Sequence, residues 1–259
     1  MTAATYGTRE AFINWCAAHG DDLDTALPIS EVFGPTIQGE GPHMGRSCWF
    51  IRTGGCNLSC SWCDTPYATG QHGIPLSTVP KRTARSVADA VPVGSMVVLT
   101  GGEPLMHLRR PAMVALLHAL HARGCEVHVE TNGTIVPGPD TAHLFDHFTV
   151  SPKLGVAMVN RHHTPALGDW SALADRTIFK WVIDNLDNPD EDVDRRVQQA
   201  IMLSETHGIP AARVWVMPEG ATAPELEVHW AEVAQAAADA GINASHRLHA
   251  LAWGDQKGH

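Results

Sequence analysis

The run Cys48–Thr53 leads straight into Gly54-Gly55-Cys56-Asn57-Leu58-Ser59-Cys60-Ser61-Trp62-Cys63, and this stretch decides how the chain is read. Trp49, Phe50, Ile51 and Thr53 are strand formers, so a β-strand is expected to end where three cysteines begin. The C-x₃-C-x₂-C spacing presents three thiols from one short loop. Four cysteines are the usual ligand set of a cubic four-iron cluster, so three leave one iron open to a small molecule. Two other readings stay open on the residues alone. A histidine such as His72 could complete a zinc site, or Cys16, Cys48 or Cys125 could close an electron-transfer cluster. Those three cysteines stand apart from the loop and also suit small buried positions.

Strand and helix signals alternate through the rest of the chain. Strands are expected over Ser95–Thr100, Glu126–Thr131, Phe148–Ser151, Thr177–Ile183, Arg213–Met217 and His246–Leu251. Helices are expected over Arg109–Arg123, with Met113, Leu116, Leu117 and Leu120 on one face, and over Asp190–His207 and Pro224–Ala240. A short helix over 8–20, with Phe12, Ile13 and Trp15, belongs to an N-terminal extension covering residues 1–28; residues 29–259 form the main domain. The alternation predicts an α/β fold, a partial, open-sided (β/α) barrel of six to seven mostly parallel strands. In such folds function collects at the C-terminal ends of the strands. The cysteine loop falls there, as do Thr100-Gly101-Gly102-Glu103-Pro104, Thr131-Asn132-Gly133 and Ser151-Pro152-Lys153. Each of the last three, taken singly, is also an ordinary turn.

Composition excludes several classes. The formal charge of −10 and the absence of a Lys/Arg cluster argue against a nucleic-acid surface. No apolar run reaches the length of a membrane span, and no signal-peptide core stands at the N-terminus. The cysteines do not form a disulfide framework, so a reducing cytoplasm is expected. Among the scattered histidines only His162-His163 are adjacent, and a solvated loop suits them.

The cysteine loop, joined to the preceding Glu31–Gly41 stretch with Gln38-Gly39-Glu40-Gly41, to Gly45-Arg46, to Arg52 and to Cys63-Asp64-Thr65, resembles the radical S-adenosylmethionine (SAM) enzymes of the 7-carboxy-7-deazaguanine synthase family. The resemblance runs from about Glu31 to Trp253-Gly254-Asp255. It implies ring contraction of 6-carboxy-5,6,7,8-tetrahydropterin to 7-carboxy-7-deazaguanine with loss of ammonia, in the 7-deazapurine route to queuosine-type nucleosides. A reduced 4Fe-4S cluster would cleave SAM to a 5′-deoxyadenosyl radical, and SAM would be regenerated. The resemblance also implies Mg²⁺, a reductant such as flavodoxin or ferredoxin, and a homodimer.

By the same resemblance Cys56, Cys60 and Cys63 hold the cluster and Thr65 contacts magnesium, an N-cap hydroxyl being the other reading of Thr65. Ile37, Gln38, Gly39, Glu40, Arg52 and Thr100 face the substrate. Gly101, Gly102, Glu103, Ser151, Pro152 and Lys153 face SAM, with Glu103 able to receive an ammonium group. Glu40 also suits a loop role and Arg52 a strand surface, while His249 and Trp253 suit the wall of the site and the core equally. The tail Gly-Asp-Gln-Lys-Gly-His and residues 66–92 have no assigned counterpart. Other radical SAM activities, such as glycyl-radical activation or peptide modification, share the cysteine spacing. A non-catalytic iron–sulfur or zinc module is the alternative outside enzymes.

Overall fold

The computed structural model describes residues 22–70, 74–154, 167–184, 192–254, 256 and 258. The expected 8–20 helix, Cys16, His72, His162-His163 and Asp255 lie outside these residues.

Nine strands form one sheet: β1 (Ala26–Ile37), β2 (Ser47–Thr53), β3 (Lys81–Thr83), β4 (Met96–Gly101), β5 (Glu126–Thr131), β6 (His147–Val150), β7 (Thr177–Ile183), β8 (Val214–Pro218) and β9 (Asn243–Ala244). Their order is β3-β1-β2-β4-β5-β6-β7-β8-β9. The seven strands from β2 through β9, without β3, are parallel, while β1 pairs antiparallel with β2 and β3. Among the described residues no pairing joins β9 to β3, so the sheet is unclosed, as the alternation predicts.

Helices α1 (Ala84–Ala90), α2 (Pro111–Ala122), α3 (Val193–Thr206), α4 (Ala223–Asp239) and α5 (Leu248–Trp253) follow the strands. Local signals set their ends. Pro111 opens α2 at a position that needs no N–H, and Gly124 stops the chain there with φ +71°. Asp192 caps α3 by accepting from Arg195 N at 2.8 Å, and Thr222 with Glu225 forms a capping box on α4. Met113, Leu116, Leu117 and Leu120 are fully buried against Val97, Leu99, Val127 and Val129 of the sheet. Burying one such side chain is worth about 1.5–3 kcal/mol.

Strand alternation sends the intervening residues to the opposite, concave face. That face carries Phe50 and Arg52, Val98 and Thr100, Glu126, His128 and Glu130, and Lys180 from β7. Two expectations fail here. The strand Cys48–Thr53, the earliest one the residues signal, is not the first in the chain, because β1 precedes it. Pro28, Gly34 and Pro35 hid that strand, and register shifts between Ile29 and Glu31 and between Phe33 and Thr36 absorb the irregularity. The segment His246–Leu251 is not a strand; it contributes to α5, and the strand is the earlier pair Asn243–Ala244. Leu248, Ala250, Leu251 and Ala252 are helix formers, and no β-branched residue opposes them.

The loop between β1 and β2 turns against the concave face. His43 packs edge-on to His128 of β5 and His147 of β6, with ring centroids 4.4 and 4.6 Å away. Arg46 forks onto Glu126 at 3.0 and 2.6 Å, and Glu126 also bonds the His128 ring Nε2 at 2.6 Å. Burial, followed by the neighbouring His128, holds His43 down at about 4 and His147 at about 3. These rings are neutral in the folded protein at pH 7. An unfolded histidine protonates near pH 6.5, so the unfolded chain takes up protons first on acidification. Stability should therefore fall as pH drops from about 6.5 towards 4. Urea midpoints at pH 7, 6 and 5 should show a steeper loss for the wild type than for His147→Phe.

Candidate active site

β2 delivers the cysteine loop to the strand C-terminal rim, and the loop is tied down on several sides. Gly54 N donates to Pro28 O at 2.8 Å, Gly55 N to Ala68 O at 2.7 Å, and the His107 ring bonds Gly54 O at 2.8 Å. The glycine turn after β4 lies directly on this loop. Gly102 N donates to Thr53 O at 3.1 Å and Glu103 N to Gly55 O at 2.8 Å. A Cβ on Gly102 would stand 1.9 Å from Gly55 O, so only glycine permits the approach.

A cavity of about 290 Å³ opens over these turns. Its wall holds Cys56, Cys60, Cys63, Thr65, Gly101, Gly102, Ser151 and Lys153, and also Gln38, Glu40, Arg52 and Thr100. The residues singled out from the sequence thus gather in one place, with four exceptions. Ile37 ends β1 paired with Ser47, and Gly39 gives its carbonyl to Leu248 N at 2.9 Å. Pro152 is buried beside the wall and not on it. Glu103 is wholly buried and turned away from the cavity. Its carboxylate accepts from Leu105 N at 3.0 Å, Thr131 Oγ1 at 2.8 Å and Asn132 N at 2.7 Å. Burial still outweighs these donors and pushes the carboxyl up to about 7. Glu103 therefore braces one rim loop against the next, where the sequence suggested an ammonium acceptor.

The cysteine side chains sit among polar neighbours. Cys56 Sγ accepts from Leu58 N at 3.4 Å and lies 3.9 Å from Asn132 Nδ2. Cys63 Sγ is 3.9 Å from Thr65 Oγ1. Thr65 precedes the single turn Pro66–Thr69, yet its hydroxyl makes no capping bond and faces the cavity instead. Lys153 Nζ donates to Ser151 Oγ at 3.0 Å and stands 5.0 Å over the Trp62 ring. Burial pushes the Cys56 thiol up to about 11 and raises Cys60 as well, so binding iron there releases protons.

Cys48 and Cys125 sit buried at the N-terminal ends of β2 and β5, away from the rim, as small core groups. Among the described residues no trio of His, Cys, Asp and Glu converges tightly enough for a single ion. Cys56, Cys60 and Cys63, three thiols of one loop on one cavity wall, are a donor set suited to a four-iron cluster with one iron left open.

The opposite wall is charged. Gln38 Nε2 donates to Glu130 Oε1 at 3.1 Å, and Thr100 Oγ1 to Glu130 Oε2 at 2.9 Å. Arg52 Nε donates to Glu31 Oε2 at 2.8 Å, and Tyr67 donates to the same oxygen at 3.0 Å. Glu40 bonds Lys180 Nζ and accepts from Arg247 Nε at 3.0 Å. Burial alone would raise the Glu40 carboxyl, but Lys180 and Arg247 hold it well below the usual carboxylate range. Sequence reasoning missed Glu31, Glu130, Lys180 and Arg247. The available signal was a charge set inside an apolar strand, as Lys180 is within Thr177–Ile183.

Residues 50–199, more than half of the chain, match the Radical SAM superfamily. The 7-carboxy-7-deazaguanine synthase of Pyrobaculum aerophilum is 36% identical over 89% of this chain and 96% of the relative. That of Halobacterium salinarum is 34% identical over 92% and 95%. The chain belongs to the 7-carboxy-7-deazaguanine synthase family. A 4Fe-4S cluster and SAM are thus its cofactors, as in radical SAM enzymes generally. The crystal structure of QueE from Escherichia coli shares the fold, with a TM-score of 0.59 and 22% identity over 95% of this chain and all of that one.

Glu40 is the test of how this wall is held. Glu40→Leu strips Lys180 of its paired carboxylate in a nearly dry site, leaves Arg247 with Asp64 as its one carboxylate, and should cost about 3–5 kcal/mol. In urea titrations, adding Lys180→Met should recover part of that loss, the signature of direct pairing.

Proposed function

We propose that this chain converts 6-carboxy-5,6,7,8-tetrahydropterin to 7-carboxy-7-deazaguanine, releasing ammonia, as a step of 7-deazapurine biosynthesis. The observation carrying this reading is the meeting of the three-cysteine loop, the glycine turn and the Gln38–Glu130–Thr100 wall in one cavity. When bound, a reduced cluster with SAM would supply the radical chemistry needed for hydrogen abstraction from the substrate.

The residues divide the remaining work. Cys56, Cys60 and Cys63 hold the cluster. Gly101, Gly102, Ser151, Pro152 and Lys153 form the SAM side, with Glu103 as their brace. Gln38 and Thr100, aligned by Glu130, offer an amide and a hydroxyl to the pterin's amide-like edge. Arg52, oriented by Glu31, is a two-pronged partner for the substrate carboxylate. Ile37, Gly39 and Glu40 shape the loop beside it. Thr65 and substrate oxygens suit magnesium, a hard cation. The walls position the substrate and keep water from the reacting carbon.

Residues 1–28 are proposed as an extension to the 29–259 domain, with Ala26-Leu27-Pro28 already paired to β3. Among the described residues no helix is long and apolar enough to cross a membrane. A cytoplasmic homodimer drawing electrons from a flavodoxin or ferredoxin completes the reading.

Anaerobic reconstitution with iron and sulfide, then reduction with SAM, Mg²⁺ and the pterin present, should yield 7-carboxy-7-deazaguanine by mass spectrometry over many turnovers with SAM largely intact. Cleavage of SAM without that product would reject this substrate and favour another radical SAM activity. Cys60→Ala should abolish SAM cleavage. In product assays across a magnesium titration, Thr65→Ala should raise the concentration giving half-maximal rate, and an unchanged response would remove the magnesium assignment.

A further inference from the structure

The sheet leaves one side of the cavity without strand pairing. β1 and β2 lie towards one end of the strand order, and β8 and β9 at the other. Arg247, just beyond β9, touches chain from both ends. Its Nε donates to Glu40 Oε1 at 3.0 Å in the loop after β1. Its Nη2 donates to Asp64 Oδ2 at 2.7 Å in the cysteine loop after β2. Its Nη1 donates to Gly220 O at 2.6 Å in the loop after β8. The adjacent Leu248 N donates to Gly39 O at 2.9 Å, a backbone bond across the same opening.

One guanidinium thus uses three nitrogens on three separate loops. A planar fork with fixed donor directions can do this; a lysine ammonium on a flexible stem is a point charge and matches such a set poorly. The position of Asp64 gives the contact its consequence, because it stands between Cys63 and Thr65. Glu40 is tied in turn to Lys180 of β7.

We propose that Arg247 is a positioning residue that latches the open side of the barrel. It holds the Glu40 loop and the Cys63-Asp64-Thr65 segment against the β8 and β9 end, and so closes the substrate side of the cavity. The consequence for substrate rests on the function proposed above; the latch itself does not.

The test compares cluster-loaded wild type, Arg247→Gln and Arg247→Lys. Iron content and visible absorbance should match in all three, since the backbone bonds of Gly54 and Gly55 hold the cysteine loop independently of Arg247. In hydrogen-exchange mass spectrometry, Arg247→Gln should speed exchange in peptides covering 38–46 and 245–254 while β4 to β7 keep wild-type protection. With the pterin as substrate, KM should rise about tenfold or more while kcat changes by less than about threefold. Arg247→Lys should restore only part of the KM. Unchanged exchange at 245–254 overturns the latch. So does faster exchange throughout the sheet, which would mean general destabilisation. If the wild type cleaves SAM but makes nothing from this pterin, the substrate reading fails, and the local exchange difference alone supports or overturns the latch.

Discussion

The site depends on how closely the end of β4 can lie on the end of β2. Gly102 N reaches Thr53 O and Glu103 N reaches Gly55 O, with no room for a side chain at residue 102. This contact fixes the glycine turn one backbone away from Cys56. Glu103 extends the constraint by one further loop, since its carboxylate gathers Thr131 and Asn132 after β5. Asn132 then returns to the cysteine loop through Asn57 Oδ1 at 2.9 Å. Three loops from three parallel strands are locked into one ring. A cofactor spanning the cluster and a SAM pocket requires such fixed spacing, because misplacement of reacting atoms by about 1 Å costs catalysis heavily.

Burial of Glu103 has a cost that this arrangement offsets. An isolated carboxyl in an apolar setting is strongly disfavoured when charged. Three donors satisfy it here, and still its carboxyl lies near 7, held up by burial. The motif's carboxylate is therefore consumed by architecture, and the open faces of the turn are left to the backbone of Gly101 and Gly102. That division explains why the glycine turn lines the cavity while the acid beside it does not.

Much of this is legible in the chain. The parallel strands follow from apolar runs separated by helical stretches, and the cysteine spacing announces its own chemistry. Strand ends in parallel sheets share a rim, so the order of residues alone brings the motifs after β2, β4 and β6 together. The rest is hidden for physical reasons. β1 is broken by Pro28, Gly34 and Pro35, which erase the alternation that marks a strand. The α5 segment reads as a strand because six residues carry too little periodicity to separate the two states. The partners Glu31, Glu130, Lys180 and Arg247 sit far in sequence from what they hold. The separation between Glu40 and Arg247 is 207 residues, a pairing that no local pattern encodes.

That long-range pairing also bears on why the barrel is finished with charges and not with another strand pair. A ladder between β9 and β3 would close the wall along its length. A guanidinium spanning three acceptors closes one level only. Its arms differ in strength. The Glu40 arm is nearly dry, with side chains 16% and 11% exposed, so salt screens it little. Asp64 is 45% exposed, so its arm is the weaker and the more open to water. The cysteine-loop contact is then the one to yield first, while the Glu40–Lys180 pair keeps the inner wall in place. An opening built this way separates at its outer lip without disturbing the backbone contacts that set the cluster loop against the glycine turn.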